Sequence, residues 1–527
     1  MDYNASKHAA NALMEQLMNQ DEINIEEEQG LVASNSVYGL LRSGSKFFVS
    51  SLISVLLVRF LGPTNYGYYT IVVLYWGFAS TIAGLGINSA VQYAISKYRA
   101  QNSASRLIWA VKHYFVLVIV SSLTASIVLF SLSGVIASIY HSAEVGYLIQ
   151  ILAFGLVFYS ISGNFTEPSF IGFQKMNNSF ITGVLYDFLR IIQLVVVYLG
   201  FGLIGAIKFY DVVYLVTATV GLFLLYRSIK GFPKSATPEK EDLSHFYSYR
   251  NFSYVIAVIS LSYGPVIALF LGAVAPNISS VSFYRVGLIM AGMLGLPAAA
   301  IGSAFFASIT KFFEKKQFGG FYSLQHTVIK YSFLLTFPLV VASIISAPKL
   351  ISYLYKASFI GAETPFIILL VPVLISSVFG PVTQVLSATG KQKYAMYSVV
   401  TGAIVGIALT ITLVPILYAV GAAFAYLAVT LSTLTVNLIL VSRYIKIKLP
   451  YLDLLKTTFS AALMGIFLYL LLMFIKRLAY LPLLLIASLA FYALVLYVTK
   501  VISNRELRFI IKLFKADKFV KMFYKKY

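Results

Sequence analysis

No cysteine occurs in this 527-residue chain, so disulfides, thiolate catalysis and cysteine-ligated metal centres are excluded. Charge is nearly as scarce: Asp, Glu, Lys and Arg make up 11% of the residues, against roughly 25% in an ordinary soluble chain. The five histidines are scattered and no H-E-x-x-H pattern occurs, so no metal site is expected. No P-loop is present, which argues against a self-contained ATP-driven pump. Gly200 to Gly205 reads GFGLIG and matches the dinucleotide pattern, but it lies between two apolar runs and not in a βαβ unit. The ten-residue alternating pieces of an outer-membrane barrel are also absent. Before the first apolar run stand Asp21, Glu22, Glu26, Glu27 and Glu28, where a signal peptide would carry basic residues.

What fills the chain is hydrocarbon. Hydrophobic residues make up 59% of it and the mean hydropathy is +0.84. A bilayer core roughly 30 Å thick takes about 20 mostly apolar residues to cross. Such runs follow one another from Tyr38 to Lys500, and predict an all-α polytopic membrane protein with about 14 transmembrane helices. The net charge of +21 then reports orientation, not nucleic acid. Lys97, Arg99, Arg106 and Lys112 follow the second span. Lys175 follows the fourth, and Arg227, Lys230, Lys234 and Lys240 the sixth; the alternate loops carry few cations. The positive-inside rule therefore places both termini in the cytoplasm.

The expected order is a polar, acidic cytosolic tail (1–35), a six-helix half (36–230), a cytosolic linker (231–248) and a second six-helix half (249–448). Two further transmembrane helices (449–501) and a basic amphipathic tail (502–527) complete it. Leu507, Ile510, Ile511 and Phe514 recur at helical spacing in that tail beside Lys512, Lys515 and Lys518, a pattern suited to anionic lipid. The halves are visible as an internal repeat. At an offset of 216 residues, Gly205–Lys230 faces Gly421–Lys446 with thirteen identities in twenty-six positions, among them Tyr210, Val213 and Thr217. Six spans restore orientation, so the halves are parallel and pseudo-symmetric, a transporter design.

The stretch RFLGPTNYGYY, Arg59 to Tyr69, breaks the apolar pattern after the first span. With the LGINSAVQYAISKY that follows from Leu85, it resembles the opening signature of the oligosaccharide and polysaccharide flippases of the multidrug/oligosaccharidyl-lipid/polysaccharide (MOP) exporter superfamily. The matched hinge residues are Arg59, Gly62, Tyr66 and Gly67; FIGAETPFIILL from Phe359 and LVPILYAVGAAFA from Leu413 extend the resemblance over about residues 36–500. A hinge needs no chemistry beyond a turn at Gly62-Pro63, with Arg59 snorkelling to the interface.

A charge at the bilayer centre costs about 2.5–3.5 kcal/mol on insertion scales, so each one inside a span calls for a reason. Arg42 and Lys46 share a face of the first span, Arg190 lies midway along the fifth, and Arg285 enters the eighth. These four are the candidate head-group contacts in a cationic cavity between the halves, since guanidinium forks suit phosphate oxygens. The resemblance likewise favours cations on spans one and eight. Glu167, which with Pro168 is expected to close span four, Asp187, Lys208 and Asp211 are candidates for ion coupling or for charge pairs, Asp187 with Arg190 and Lys208 with Asp211. Snorkelling is the alternative for Arg42 and Lys46. The aromatic residues, 15% of the chain, are assigned to interfaces and packing.

The expectation is a non-enzymatic flippase of the plasma membrane. It would carry a polyprenyl-phosphate- or diphosphate-linked glycan outward by alternating access, with Na+ or H+ as a conceivable coupling ion and no other cofactor. A multidrug or cation antiporter of the same superfamily is the second reading, although it wants an acid in an early span and none is present. A glycosyltransferase or oligosaccharide ligase would need catalytic carboxylates facing the sugar; no D-x-D occurs, and Glu144 and Glu363 are the only acids in the outer loops.

Overall fold

The computed structural model describes residues 49–501 except 233–239, 262, 299–300, 302–317, 384, 386–391 and 444–448. Arg42, Lys46, both tails and most of the linker lie outside the described residues. Those described are helical apart from short turns, with no strand among them. Nine helical stretches among them are long and apolar enough to cross a membrane. Their outward faces carry residues such as Val116, Ile127, Phe223 and Ile404, each more than half exposed, which only a lipid solvent tolerates in such number. Hydroxyls on those faces are satisfied within their own helix: Thr124 donates to Val120 O (2.8 Å), Thr219 to Leu215 O (2.8 Å) and Thr412 to Ala408 O (3.1 Å). Hydrocarbon offers no partner, so the backbone one turn back supplies it.

The chain forms two compact units. The first comprises residues up to Leu61 and Val72–Val258, the second Gly62–Ile71 and everything from Ile259. The first contains most of α1 (Val49–Gly84), α2 (Ile87–Ala100), α3 (Ala104–Ile139), α4 (Ala143–Tyr159), α5 (Glu167–Gly172), α6 (Met176–Val196) and α7 (Gly202–Ile229). It ends within α8 (Lys240–Ser260). The second contains α9 (Gly264–Val274), α10 (Ser279–Leu294), α11 (Phe318–Tyr355), α12 (Glu363–Thr383), α13 (Gln392–Ser442), α14 (Tyr451–Phe474) and α15 (Leu481–Val498).

Two helical stretches exceed any single crossing and fold back on themselves. The run Met176–Ile229 is 54 residues long, about 80 Å at 1.5 Å per residue. Its backbone breaks at Gly200 (φ 97°) and Gly202 (φ 55°, ψ −143°). Asn178 at one end donates to Ser228 at the other (3.3 Å), so α6 and α7 are an antiparallel hairpin. The run through α13 breaks at Tyr418 (φ 48°, ψ −120°), where Gly421 folds back onto Leu413. Residue 418 is residue 202 displaced by the 216-residue repeat, and the two share one unusual backbone conformation. The repeat seen in the sequence is thus also a repeat of turn geometry.

The hinge stretch has a structural account. Gly62 takes φ +74°, a left-handed conformation that favours glycine, although a side chain there would meet nothing within 4 Å. The piece that follows docks on the start of α10 within the second unit. Ser282 Oγ donates to the Pro63 carbonyl, and the hydroxyls of Thr64 and Ser279 lie 3.3 Å apart. A Cβ at Gly67 would sit 2.6 Å from the Ile278 carbonyl oxygen, so glycine is needed for the approach. Tyr66 is buried and stacks on Tyr69, while Arg59 is exposed. The helix of the second span bends by 42° between Gly84 and Ile87. There Gly86 (φ +71°) lies against the Arg250 carbonyl.

The two C-terminal helices pack on α11. Met464 and Leu468 of α14 and Leu484 and Tyr492 of α15 are buried with Leu334 and Ala342, and the Tyr492 hydroxyl donates to Leu334 O (2.9 Å). Lys349 of α11 donates to Leu472 O (2.6 Å), a cation where the last carbonyls of α14 concentrate negative potential.

Candidate functional site

The first unit holds a nest of aromatic side chains in its interior. Trp76 of α1 makes edge contacts with Tyr159 (4.5 Å between centroids) and Tyr210 (5.5 Å) and a tilted contact with Tyr214 (5.2 Å). Tyr214 meets Tyr159, Tyr186 and Tyr210 at 5.1, 5.6 and 5.1 Å, and its hydroxyl lies 3.4 Å from that of Tyr186 and 3.5 Å from that of Tyr210. Spacing explains the convergence. Tyr210 and Tyr214 lie one turn apart on α7, Tyr186 and Arg190 one turn apart on α6, and the hairpin brings those stripes together.

Arg190 is bound into this nest. Its guanidinium lies 4.7 Å from the Tyr210 ring centroid, a cation–π contact. Its Nη1 donates to Gln193 Oε1, and the Gln193 amide in turn donates to the Ala206 carbonyl of α7. The α6–α7 hairpin therefore holds the arginine in one orientation. Asp187, one turn earlier, is buried at 4% exposure.

Lys208 and Asp211 are not brought together. Lys208 is exposed, whereas the Asp211 carboxylate turns to α4, where Gly155 leaves room for it and any Cβ would collide with Oδ1. Among the described residues that Oδ1 is buried with no hydrogen-bond partner. The two side chains of this i, i+3 pair leave the helix in different directions.

Glu167 does not close its span, because the helical segment runs on to Gly172. Ahead of it, Ser160–Thr166 forms a wide π-helical turn, immediately before Pro168, whose missing N–H and bulky ring disfavour a regular α-turn. The turn opens a cavity of about 290 Å³ walled by Tyr159, Ser162, Glu167, Thr182, Tyr186 and Tyr214 together with Gly163 and Gly183.

In the second unit Arg285 is half-buried on α10, within electrostatic reach of Tyr284 and Tyr426. No carboxylate pairs with it among the described residues. Tyr426 also lines a cavity of about 440 Å³ with Gly295, Pro372, Ser377, Pro381 and Thr430. Tyr426 is Tyr210 displaced by 216 residues. Each unit thus sets an arginine within electrostatic reach of the same tyrosine of the repeat, although the arginines come from unrelated positions. Sequence reasoning singled out both arginines but assigned the tyrosines to interfaces and packing. The i, i+4 spacing of Tyr186 with Arg190 and of Tyr210 with Tyr214 was the available signal. Among the described residues no group of three or more His, Asp or Glu could hold a metal ion.

Residues 32–306 match the model of a family described as polysaccharide biosynthesis protein. No curated protein matches the chain by sequence. Among solved structures, a lipid II flippase MurJ in an inward closed conformation superposes with a TM-score of 0.70 at 16% identity, covering 86% of this chain and 98% of that one. An inward-facing multidrug resistance MATE family transporter of the MOP superfamily gives 0.59 at 16% identity, covering 79% and 94%. A MOP superfamily transporter from Pyrococcus furiosus gives 0.55 at 15%, covering 82% and 95%. At these identities the likeness is one of fold.

Proposed function

Because the chain belongs to the polysaccharide biosynthesis protein family and has the fold of MOP-superfamily transporters, we propose that it is a flippase. It moves a lipid-linked oligosaccharide or polysaccharide precursor from the cytoplasmic to the outer leaflet by alternating access. The observation that carries this reading is a pair of arginines on apolar helices, Arg190 on the Tyr210 ring within the span Met176–Ile229 and Arg285 of α10 within electrostatic reach of Tyr426. A charged side chain at such depth marks a substrate path. A polyprenyl-linked glycan brings one or two phosphates whose oxygens accept from a guanidinium fork. The protein supplies hydrogen bonds that hydrocarbon cannot give to the polar head. The cation-rich loops favour cytoplasmic termini, and the resemblance to prokaryotic flippases favours the plasma membrane of a prokaryote.

The test is head-group translocation in proteoliposomes with a fluorescent polyprenyl-phosphate sugar, comparing wild type with Arg190→Ala and Arg285→Ala. Protein-dependent flipping that both substitutions reduce, with folding intact, supports the reading. Flipping untouched by either removes the arginines from the substrate path. Uptake of a small organic cation with no flipping of any lipid-linked sugar replaces it with the antiporter.

A further inference from the structure

Glu167 lines the 290 Å³ cavity of the first unit, inside a membrane-spanning segment. Among the described residues its carboxylate makes no ion pair and accepts no hydrogen bond. An ionised acid at such depth needs a partner, and the chemistry of the walls says what kind. The Thr182 hydroxyl donates to its own helix, with Asn178 O and Ser179 O both at 3.1 Å, and so turns lone pairs to the cavity. The Glu167 N–H donates to the Ser162 carbonyl, five residues back. The next N–H in that register would belong to residue 168, which is proline, so the Gly163 carbonyl is left without that donor. Gly163 also lines the cavity.

The walls therefore offer a carboxylate and hydroxyl lone pairs as acceptors, with the Gly163 backbone among the lining residues. Around them stand the rings of Tyr159, Tyr186 and Tyr214. A ligand that fits offers several N–H or O–H donors, carries no negative charge and has an apolar C–H face for the rings. A sugar ring meets all three conditions. The volume of 290 Å³ is at the small end of ligand sites, about 300–1,000 Å³, and suits one pyranose.

We propose that this cavity holds one sugar ring of the transported glycan, and that Glu167 makes it selective for neutral or amino sugars over anionic ones such as uronic acids. The inference deepens the flippase reading and rests on it. It divides recognition between Arg190, which meets the phosphate, and Glu167, which screens the charge of a sugar. Like charge brought together in a poorly hydrated site rejects the wrong partner.

Trp76 reports on the site directly, since it touches Tyr159 and Tyr214 and the chain has only two tryptophans. The full chain carrying Trp109→Phe, in lipid nanodiscs, is titrated with glucosamine, glucose, glucuronate and tetramethylammonium while Trp76 fluorescence is followed. Glucosamine and glucose are expected to give saturable changes, with glucuronate weaker by about tenfold, a 1.4 kcal/mol discrimination. Adding Glu167→Gln should bring glucuronate level with glucose. Thr182→Val, which removes an acceptor and no charge, should weaken all sugars and leave the glucuronate ratio unchanged. Equal ratios in wild type and Glu167→Gln, or saturation by tetramethylammonium alone, overturn the proposal. The same protein is assayed for flipping in proteoliposomes. Sugar binding without flipping of any lipid-linked glycan sinks the flippase reading and keeps the site; flipping with Trp76 blind to every sugar sinks the site alone.

Discussion

The two hairpins of the repeat share half their residues on one helix and differ at key positions on the other. Val213 and Thr217 of α7 correspond to Val429 and Thr433 of α13 at the 216-residue offset. Across from them the units part. Positions 186 and 190 are Tyr and Arg in the first unit, and at the same offset positions 402 and 406 are both Gly. In the second unit a Cβ on Gly402 would run into the Thr433 hydroxyl and one on Gly406 into Val429, so its helices are in backbone-close contact. In the first unit Tyr186 and Arg190 stand there instead, and Tyr186 helps wall a cavity. One packing scheme closes a hairpin on glycine; large polar side chains at corresponding positions turn the other into a site.

The largest effect expected from breaking this contrast is on transport. Arg190→Ala and Arg285→Ala each remove charge-assisted bonds of about 1.5–3 kcal/mol, and flipping measured in proteoliposomes should fall about ten- to hundredfold at 1.4 kcal/mol per decade. Next comes packing. Gly402→Val forces a side chain into Thr433, and overpacking of this kind costs about 1–3 kcal/mol; the thermal midpoint of the detergent-purified protein should drop, and no change would mean that the hairpin is not tightly closed.

The turn at the repeat's shared position sharpens the comparison further. Gly202 takes φ 55° without a Cβ, whereas Tyr418 takes φ 48° with one. Strain of that sort costs on the order of 1–3 kcal/mol, partly offset in a glycine variant by the greater entropy of its unfolded chain. Tyr418→Gly should therefore raise stability by about 1 kcal/mol, read as a higher midpoint. A lower midpoint would mean that the Tyr418 side chain contributes more than its backbone costs. The smallest effect concerns Lys208 and Asp211, which point apart. A double-mutant cycle on the pair in the same unfolding assay should be additive to within about 0.3–0.5 kcal/mol; a larger coupling would restore them as an ion pair.

Much of this molecule was legible in the sequence because hydrocarbon is an exacting solvent. Each span had to be long, apolar and satisfied within its own helix, so composition alone declared a polytopic helical protein. The parallel repeat was legible because Tyr210, Val213 and Thr217 recur in order at one spacing. The cost of buried charge also singled out Arg190, Arg285 and Glu167 before any coordinates. What those charges face was not legible. The i, i+3 spacing of Lys208 and Asp211 suggested a pair, and Glu167-Pro168 looked like the end of a span. The docking of α4 on α7 at Gly155 and the π-helical turn before Pro168 gave each acid a different environment. Sequence determined which residues must cross the membrane and which of them are charged, because transfer energies belong to residues. Tertiary structure alone decided that Arg190 lies on Tyr210 in a nest of four tyrosines and a tryptophan and that Glu167 opens on a cavity, because contacts belong to pairs of helices whose register no single segment encodes.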